Sequence, residues 1–120
     1  MLSKDKRVRS AGDYKRIYSK GSFFSSRFFT VNYMINRTQK TRIGFVISKK
    51  ATKKATERNK IKRQFREAAR ALYEEAPKGY DIVINIKKEA LGIGYKELLT
   101  EIQNSFQRIG KNEKSNFRRH

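Results

Sequence analysis

The densest chemistry in this sequence is cationic. From Lys49 to Arg70, ten Lys and Arg residues stand against two acids, Glu57 and Glu67, within 22 residues. A solvated surface helix normally interleaves acids at i, i+4 and so offsets its own repulsion. This segment does not, and a polyanionic partner is needed to relieve it. Arg58, Arg63, Arg66 and Arg70 carry forked donors that suit phosphates and base edges. Lys60 and Lys62 add point charges, and Asn59 adds a neutral donor and acceptor able to read a base or a 2′-hydroxyl.

Residues for autonomous catalysis are missing from the pattern. The single histidine is His120, the last residue, which excludes a two-histidine acid–base nuclease and leaves a Ser-His-Asp arrangement without support. The carboxylates are scattered, and Glu74 and Glu75, adjacent on a helix, point in different directions; they read as solvated charges, not a metal site. The absence of cysteine excludes a disulfide scaffold and a thiolate metal site. Gly92-x-Gly94 alone is too little for a phosphate-cradling loop.

The whole chain shares the bias. Its 120 residues carry 30 Lys plus Arg and 11 Asp plus Glu, a net charge of +19, with a pI near 10.5. This length supports one domain. Such a charge repels itself, and nucleic acid or an anionic membrane would relieve it. The aromatics fall in segments that read as strands or core instead of one exposed amphipathic face, which favours nucleic acid. No apolar run approaches the ~18 residues of a membrane span. Met1 to Ser10 is basic with no apolar stretch behind it, so no secretory signal is read and the expected location is the cytoplasm.

Several elements must position these residues. Residues 1–12 read as a basic arm, extended or mobile. Asp13 can cap a short helix with Tyr14, Ile17 and Tyr18 on one face, ended by Gly21. Phe23 to Ile35 reads as one or two strand pieces and Arg42 to Ser48 as another; across the polar turn Asn36 to Lys40 they form an expected antiparallel hairpin. Lys54 to Ala76 is the longest helical pattern, with Ile61, Phe65, Ala68 and Leu72 in one stripe and Asn59, Arg63, Arg66 and Arg70 opposite. Pro77 and Gly79 precede Tyr80 to Ile86, an apolar run expected as a buried strand. Tyr95 to Ile109 reads as a closing amphipathic helix, and 111–120 as a basic tail expected to be disordered. The expected fold is α/β, a two-layer α+β sandwich in the order α-β-β-α-β-α, with helices on a mixed sheet and one RNA-binding domain over 1–110.

The residue order narrows this further. Ile47-Ser48-Lys49-Lys50, followed by Arg58-Asn59-Lys60-Ile61-Lys62-Arg63-x-x-Arg66-Glu67-x-x-Arg70, closely resembles the RNR motif of the bacterial ribonuclease P protein subunit. Arg7-x-Arg9 with Asp13-Tyr14-x-x-Ile17-Tyr18-x-x-Gly21 resembles that family's opening helix, and Tyr80-Asp81-Ile82-Val83-Ile84 its later strand. The resemblance spans roughly residues 6–109.

The resemblance implies a left-handed β-α-β crossover, against the usual hand. It also implies a small partner of a catalytic RNA that removes the 5′ leader of precursor tRNA by metal-assisted hydrolysis, the protein alone being inactive. Magnesium would be held mainly by the RNA. Partners would be that RNA and precursor tRNA, with no membrane and no obligate protein partner. Carried over, Arg58, Asn59, Lys60, Lys62, Arg63, Arg66 and Arg70 would contact the catalytic RNA. Tyr14, Tyr18, Thr30, Asn32, Ser48, Lys49 and Lys50 would line a cleft for the single-stranded leader. Lys60 stands where the motif's second Arg is usual, Tyr14 and Tyr18 where Phe is common, and Asn32 where some members carry an aromatic. Tyr14 and Tyr18 have two readings, packing of the first helix on the sheet or stacking on the leader, and the resemblance favours the second. A ribosomal-type structural RNA-binding protein is the alternative function; the charge and size fit it, but the Arg58 to Arg70 order does not favour it.

Overall fold

A computed structural model describes residues 4–38 and 40–118, with side chains through 111. The single histidine and the end of the expected tail therefore lie outside the described residues. Helix α1 (Ala11–Lys20) precedes strands β1 (Ser22–Ser25), β2 (Phe29–Ile35) and β3 (Arg42–Ile47). Helix α2 (Ala55–Ala71), strand β4 (Tyr80–Ile86) and helix α3 (Tyr95–Arg118) complete the order. The four strands form one mixed sheet, β1-β2-β4-β3, in which β4 is antiparallel to β2 and parallel to β3.

The expected hairpin is corrected by this order. β2 and β3 do run in opposite senses, but β4 lies between them. Six of the seven β4 residues are buried, and a strand apolar on both faces gains most at the centre of a sheet. The 36–41 connection must then cross two strand spacings, about 10 Å, which six residues reach easily. The Asn36 amide holds that connection in place. It donates to Lys40 O and to Asp81 Oδ1, both at 2.9 Å, and its oxygen accepts from Thr38 N at 2.9 Å.

The two sheet faces differ. Phe29, Val31, Tyr33, Ile43, Phe45, Ile82 and Ile84 point into the main core, where α2 contributes Ile61, Phe65 and Ala68 and α3 contributes Leu98, Ile102, Phe106 and Ile109. The Phe65 ring lies edge-on to Phe29, with centroids 5.8 Å apart, and near Phe45 at 6.1 Å. This bears out the α2 stripe. The opposite face is covered only in part, where Ile17 of α1 meets Val83 and Val8.

α1 is capped by Ser10, not Asp13: the Ser10 hydroxyl accepts from Asp13 N at 3.0 Å. Asp13 joins an ionic cluster instead. Arg42 makes a paired contact with the fully buried Asp81 at 2.9 and 2.7 Å and donates to Asp13 at 3.1 Å; Arg16 pairs with Asp13 at 3.1 Å. Burial pushes the Asp13 carboxyl up, but the Ser10 bond and the Arg42 and Arg16 charges outweigh it and hold it below its ordinary range. Arg42 is held more firmly protonated than usual, chiefly by its bonds to Asp81. At the other end of α1, an added Cβ at Gly21 would sit 2.5 Å from the backbone oxygens of Ile17 and Tyr33. Only glycine lets the chain turn there into β1.

Three further boundaries differ from the sequence reading. Residues 4–10 form no free arm: Lys4–Lys6 makes a 3₁₀ turn, Arg7 bridges to Ile43 of β3, and Val8 is buried. α2 ends at Ala71, five residues early, because Tyr73 turns its hydroxyl back to Thr41 O at 2.5 Å, and Tyr73–Glu75 tightens into a 3₁₀ turn. The backbone of α3 stays helical past Ile109, its last core residue, as far as Arg118, where an irregular tail was expected.

Candidate nucleic-acid interface

α2 presents its basic residues because the opposite stripe is fixed in the core. Asn59, Lys60, Arg63 and Arg70 are exposed, while Lys62, Arg66 and Arg58 are half-buried. Among the described residues, no Lys or Arg from 49 to 70 forms an ion pair; every ion pair uses Arg16, Lys40 or Arg42. The outer face of α2 is therefore an uncompensated cationic ridge. Arg58 is partly committed within the protein, since it donates to Thr52 O at 2.9 Å and so braces the loop that leads into α2. Thr52 in turn donates to Glu57 at 2.7 Å. Lys54, at the N-cap, makes no side-chain cap bond. Ser48, Lys49 and Lys50, in the loop that leads to α2, are exposed.

The ridge continues towards α3. Arg63, Arg66, Glu67 and Arg70 line an open cavity of about 500 Å³ with Tyr95, whose ring is half exposed. Tyr95 is a feature that sequence reasoning missed. It stands three residues before Leu98 and so lies in line with the apolar stripe, but at the first turn of α3 it falls outside the core.

The second surface is the open part of the sheet. Pleating and register put Phe23 and Ser25 of β1, Thr30 and Asn32 of β2, and Asn85 of β4 on the face that carries α1. A hydrogen-bonded ladder crosses it. Tyr18 Oη donates to Asn85 Oδ1 at 2.9 Å, and Asn85 Nδ2 donates to Asn32 Oδ1 at 3.1 Å. Beside it, Lys87 Nζ donates to Ser25 Oγ at 2.7 Å, and Ser25 meets Thr30 at 3.3 Å. The structure thus brings Tyr18, Thr30 and Asn32 onto one polar floor. Ser48 follows directly on the Ile47–Ile86 pair, at the same end of the sheet as Thr30. Sequence reasoning missed Asn85, Lys87 and Phe23. The single Asn in an otherwise apolar strand was the available signal for Asn85. Phe23 is 71% exposed and pairs across the strands with Asn32.

The two tyrosines diverge. Tyr18 is 44% exposed; Tyr14 is half-buried, donates to Val8 O at 3.3 Å and has its ring centroid 6.4 Å from that of Tyr18. Burial raises both phenols above their ordinary pKa; the bond to Asn85 offsets part of this at Tyr18, and at Tyr14 the neighbouring Tyr18 adds to the rise while Arg66 opposes it. Both therefore remain neutral hydrogen-bond donors at physiological pH.

Among the described residues no group of three or more His, Cys, Asp or Glu could bind a metal. Asp13 and Asp81, which share Arg42, are already neutralised by it and by Arg16. The donor set does not fit magnesium. Among the described residues, no helix is long and apolar enough to cross a membrane.

Comparison with known proteins agrees with this geometry. The sequence matches the profile of the ribonuclease P family over residues 2–110. It is 33% identical over 105 residues to the ribonuclease P protein component of a Pseudanabaena species, covering 87% of this chain and 90% of the relative. Its identity to the Finegoldia magna ribonuclease P protein component is 38% over 97 residues, covering 81% and 84%. The fold superposes on the RNase P protein from Thermotoga maritima with a TM-score of 0.78 at 30% identity, covering 85% of this chain and 96% of that one. The match runs over nearly the whole length of this chain and of these relatives, and the chain belongs to the ribonuclease P protein family.

Proposed function

We infer that this chain is the protein component of ribonuclease P, binding the catalytic RNA and the 5′ leader of precursor tRNA and supporting removal of that leader. The observation that carries the reading is the pair of surfaces joined at the start of α2: a cationic ridge without ion pairs and a polar sheet face with exposed rings. The ridge suits structured RNA, whose phosphates are closely spaced and whose base edges are hidden. In this reading Asn59, Lys60, Lys62, Arg63, Arg66 and Arg70 contact the catalytic RNA, and Arg58 does so with the part of its guanidinium that does not brace Thr52. The sheet face suits a single strand, whose bases are free to stack on rings and bond to amides. Tyr18, Thr30 and Asn32 form its floor with Asn85. Lys49 and Lys50 neutralise phosphates at its mouth, where Ser48 adds a hydroxyl donor, and Tyr14 seats Tyr18 from behind.

Hydrolysis belongs to the RNA. Among the described residues no group of acids could hold a metal ion for it, and the magnesium ions of the reaction are carried by the RNA. We place the activity in the cytoplasm, where precursor tRNA is made in bacteria. The test is incubation of precursor tRNA with protein alone, with a bacterial ribonuclease P RNA alone, and with both, at low magnesium. Efficient 5′ maturation is expected only with both. Cleavage by the protein alone, or no gain over the RNA alone, overturns the reading.

A further inference from the structure

Four large apolar side chains are exposed among the described residues: Tyr18, Phe23, Ile35 and Tyr95. Tyr18 and Phe23 belong to the polar sheet face. Tyr95 stands elsewhere, at the first turn of α3, where the buried Leu98 and Ile102 anchor that helix beside α2. Its ring borders the cavity of about 500 Å³ that Arg63, Arg66, Glu67, Arg70 and Ala71 line from α2. That volume lies in the range of sites for small organic groups, ~300–1,000 Å³.

Glu67 gives this cavity a chemistry that the rest of the ridge lacks. Arg63 stands four residues before it and Arg70 three after, spacings at which opposite charges on a helix normally pair. Yet among the described residues every ion pair lies elsewhere, and the exposed Glu67 carboxylate joins none. The cavity therefore offers an aromatic face, a free carboxylate that can only accept hydrogen bonds, and arginines on either side of it. Phosphate alone uses neither the ring nor the carboxylate, and the carboxylate repels it. A nucleotide uses all three. Its base stacks on the ring, its phosphates meet the arginines, and its edge faces the carboxylate. Among the common bases only guanine presents two adjacent N–H donors, N1–H and the 2-amino group, to the two oxygens of a carboxylate. Adenine and cytosine set an acceptor nitrogen beside their amino group, which the second oxygen would oppose.

We propose that this cavity receives one unpaired guanine of the bound RNA, its ring on Tyr95, its N1–H and 2-amino donors on Glu67, and its flanking phosphates on Arg63 and Arg70. RNA as the partner rests on the function inferred above. The site adds base recognition to a ridge otherwise suited to phosphates. A bulged or looped base suits it best, since such a base is already out of the stack.

The test measures binding of the full chain, at one fixed salt concentration, to matched RNA hairpins. They carry in the stem one unpaired guanosine, inosine or adenosine, or no unpaired residue. Wild type should bind the bulged guanosine most tightly and the inosine, which lacks only the 2-amino group, about tenfold less tightly. Tyr95→Ala should weaken the bulged guanosine about 5- to 150-fold and leave the fully paired hairpin unchanged; Tyr95→Phe should restore the affinity. Glu67→Gln removes a negative charge and so strengthens binding of every hairpin alike. The decisive readout is the ratio of guanosine to inosine affinity, which that general effect does not move and which should fall to about one. Both positions are exposed, so the variants should melt as wild type does. Equal wild-type affinity for bulged and fully paired hairpins overturns the site. So does equal affinity for the three bulged bases, or a guanosine preference that survives in Tyr95→Ala or in Glu67→Gln. Failure of the RNA-binding function reads differently: wild type would then bind ribonuclease P RNA no more tightly than an unrelated RNA of equal length, whatever the hairpins show.

Discussion

Removal of the Tyr18 ring separates leader recognition from assembly. The ring is 44% exposed beside the Asn85–Asn32 ladder, and its hydroxyl contributes one 2.9 Å bond to Asn85. Stacking of one base on such a ring is worth ~1–3 kcal/mol, about 5- to 150-fold in affinity. In the assembled holoenzyme, Tyr18→Ala should weaken precursor tRNA by an amount in that range. Mature tRNA, which lacks the leader, should bind unchanged. Tyr18→Phe keeps the π-face and loses only the hydrogen bond, worth ~0.5–1.5 kcal/mol at most because Asn85 can turn its oxygen to water. Tyr14→Ala should behave differently, since that ring is half-buried between Val8 and Gly44. Its main effect should be a lower melting temperature of the free protein. The assay is equilibrium binding of precursor and mature tRNA side by side, with thermal unfolding of each free variant. Equal losses for the two tRNAs with Tyr18→Ala would refute the leader assignment and leave the α2 ridge untouched.

Phe65→Ala should destabilise the protein by ~3–5 kcal/mol in denaturant unfolding, because the ring is fully buried against Phe29 and Phe45; a neutral result would overturn the packing of α2. Arg63→Ala and Arg70→Ala, both on exposed positions, should weaken assembly with the catalytic RNA while circular dichroism and melting temperature stay at wild-type values. Arg42→Met should cost ~1.5–3 kcal/mol, since it removes the paired contact to the fully buried Asp81 and leaves that carboxylate only the Asn36 amide and the more distant Arg16, and chemical denaturation measures it directly. The Asp13 carboxyl is held below its ordinary pKa, so its stabilising contribution is complete above about pH 4 and is lost as pH falls through the lowered value; Asp13→Asn should flatten the acid limb of the stability–pH curve, and an unchanged limb would remove Asp13 from the cluster's energetics.

What the sequence made legible was local. The α2 stripe of Ile61, Phe65 and Ala68 follows from a 3.6-residue period, and the burial of β4 from its unbroken apolar run. Non-local pairing carries no such period. β2 and β3 looked like a hairpin because they are consecutive, while the strand that divides them comes more than thirty residues later. Val8 stands alone in a basic stretch, so nothing in its neighbourhood announced that it packs with Ile17 and Val83. Ser10 displaced Asp13 as cap by starting α1 three residues early. At the interface, residue type and spacing located the cations and Tyr18, but not which groups they meet. The Thr52 contact of Arg58 and the Asn85 contact of Tyr18 depend on loop closure and strand register, which only the folded chain defines.

The central place of β4 has a consequence for biosynthesis. During translation β2 and β3 emerge first, yet both need β4 as their neighbour. The 32 residues between β3 and β4 take about 2–6 s to synthesise at ordinary rates. Through that interval the nascent chain exposes two apolar strands with unpaired edges. It also exposes the basic α2 segment before the core that orients its side chains exists. The ribosome is itself a dense polyanion, so this half-made protein grows beside a surface able to capture its most cationic stretch. Codon usage or pausing between Ser48 and Gly79 therefore governs how long the chain spends in its most aggregation-prone state, and synonymous changes there should alter soluble yield without altering a single side chain.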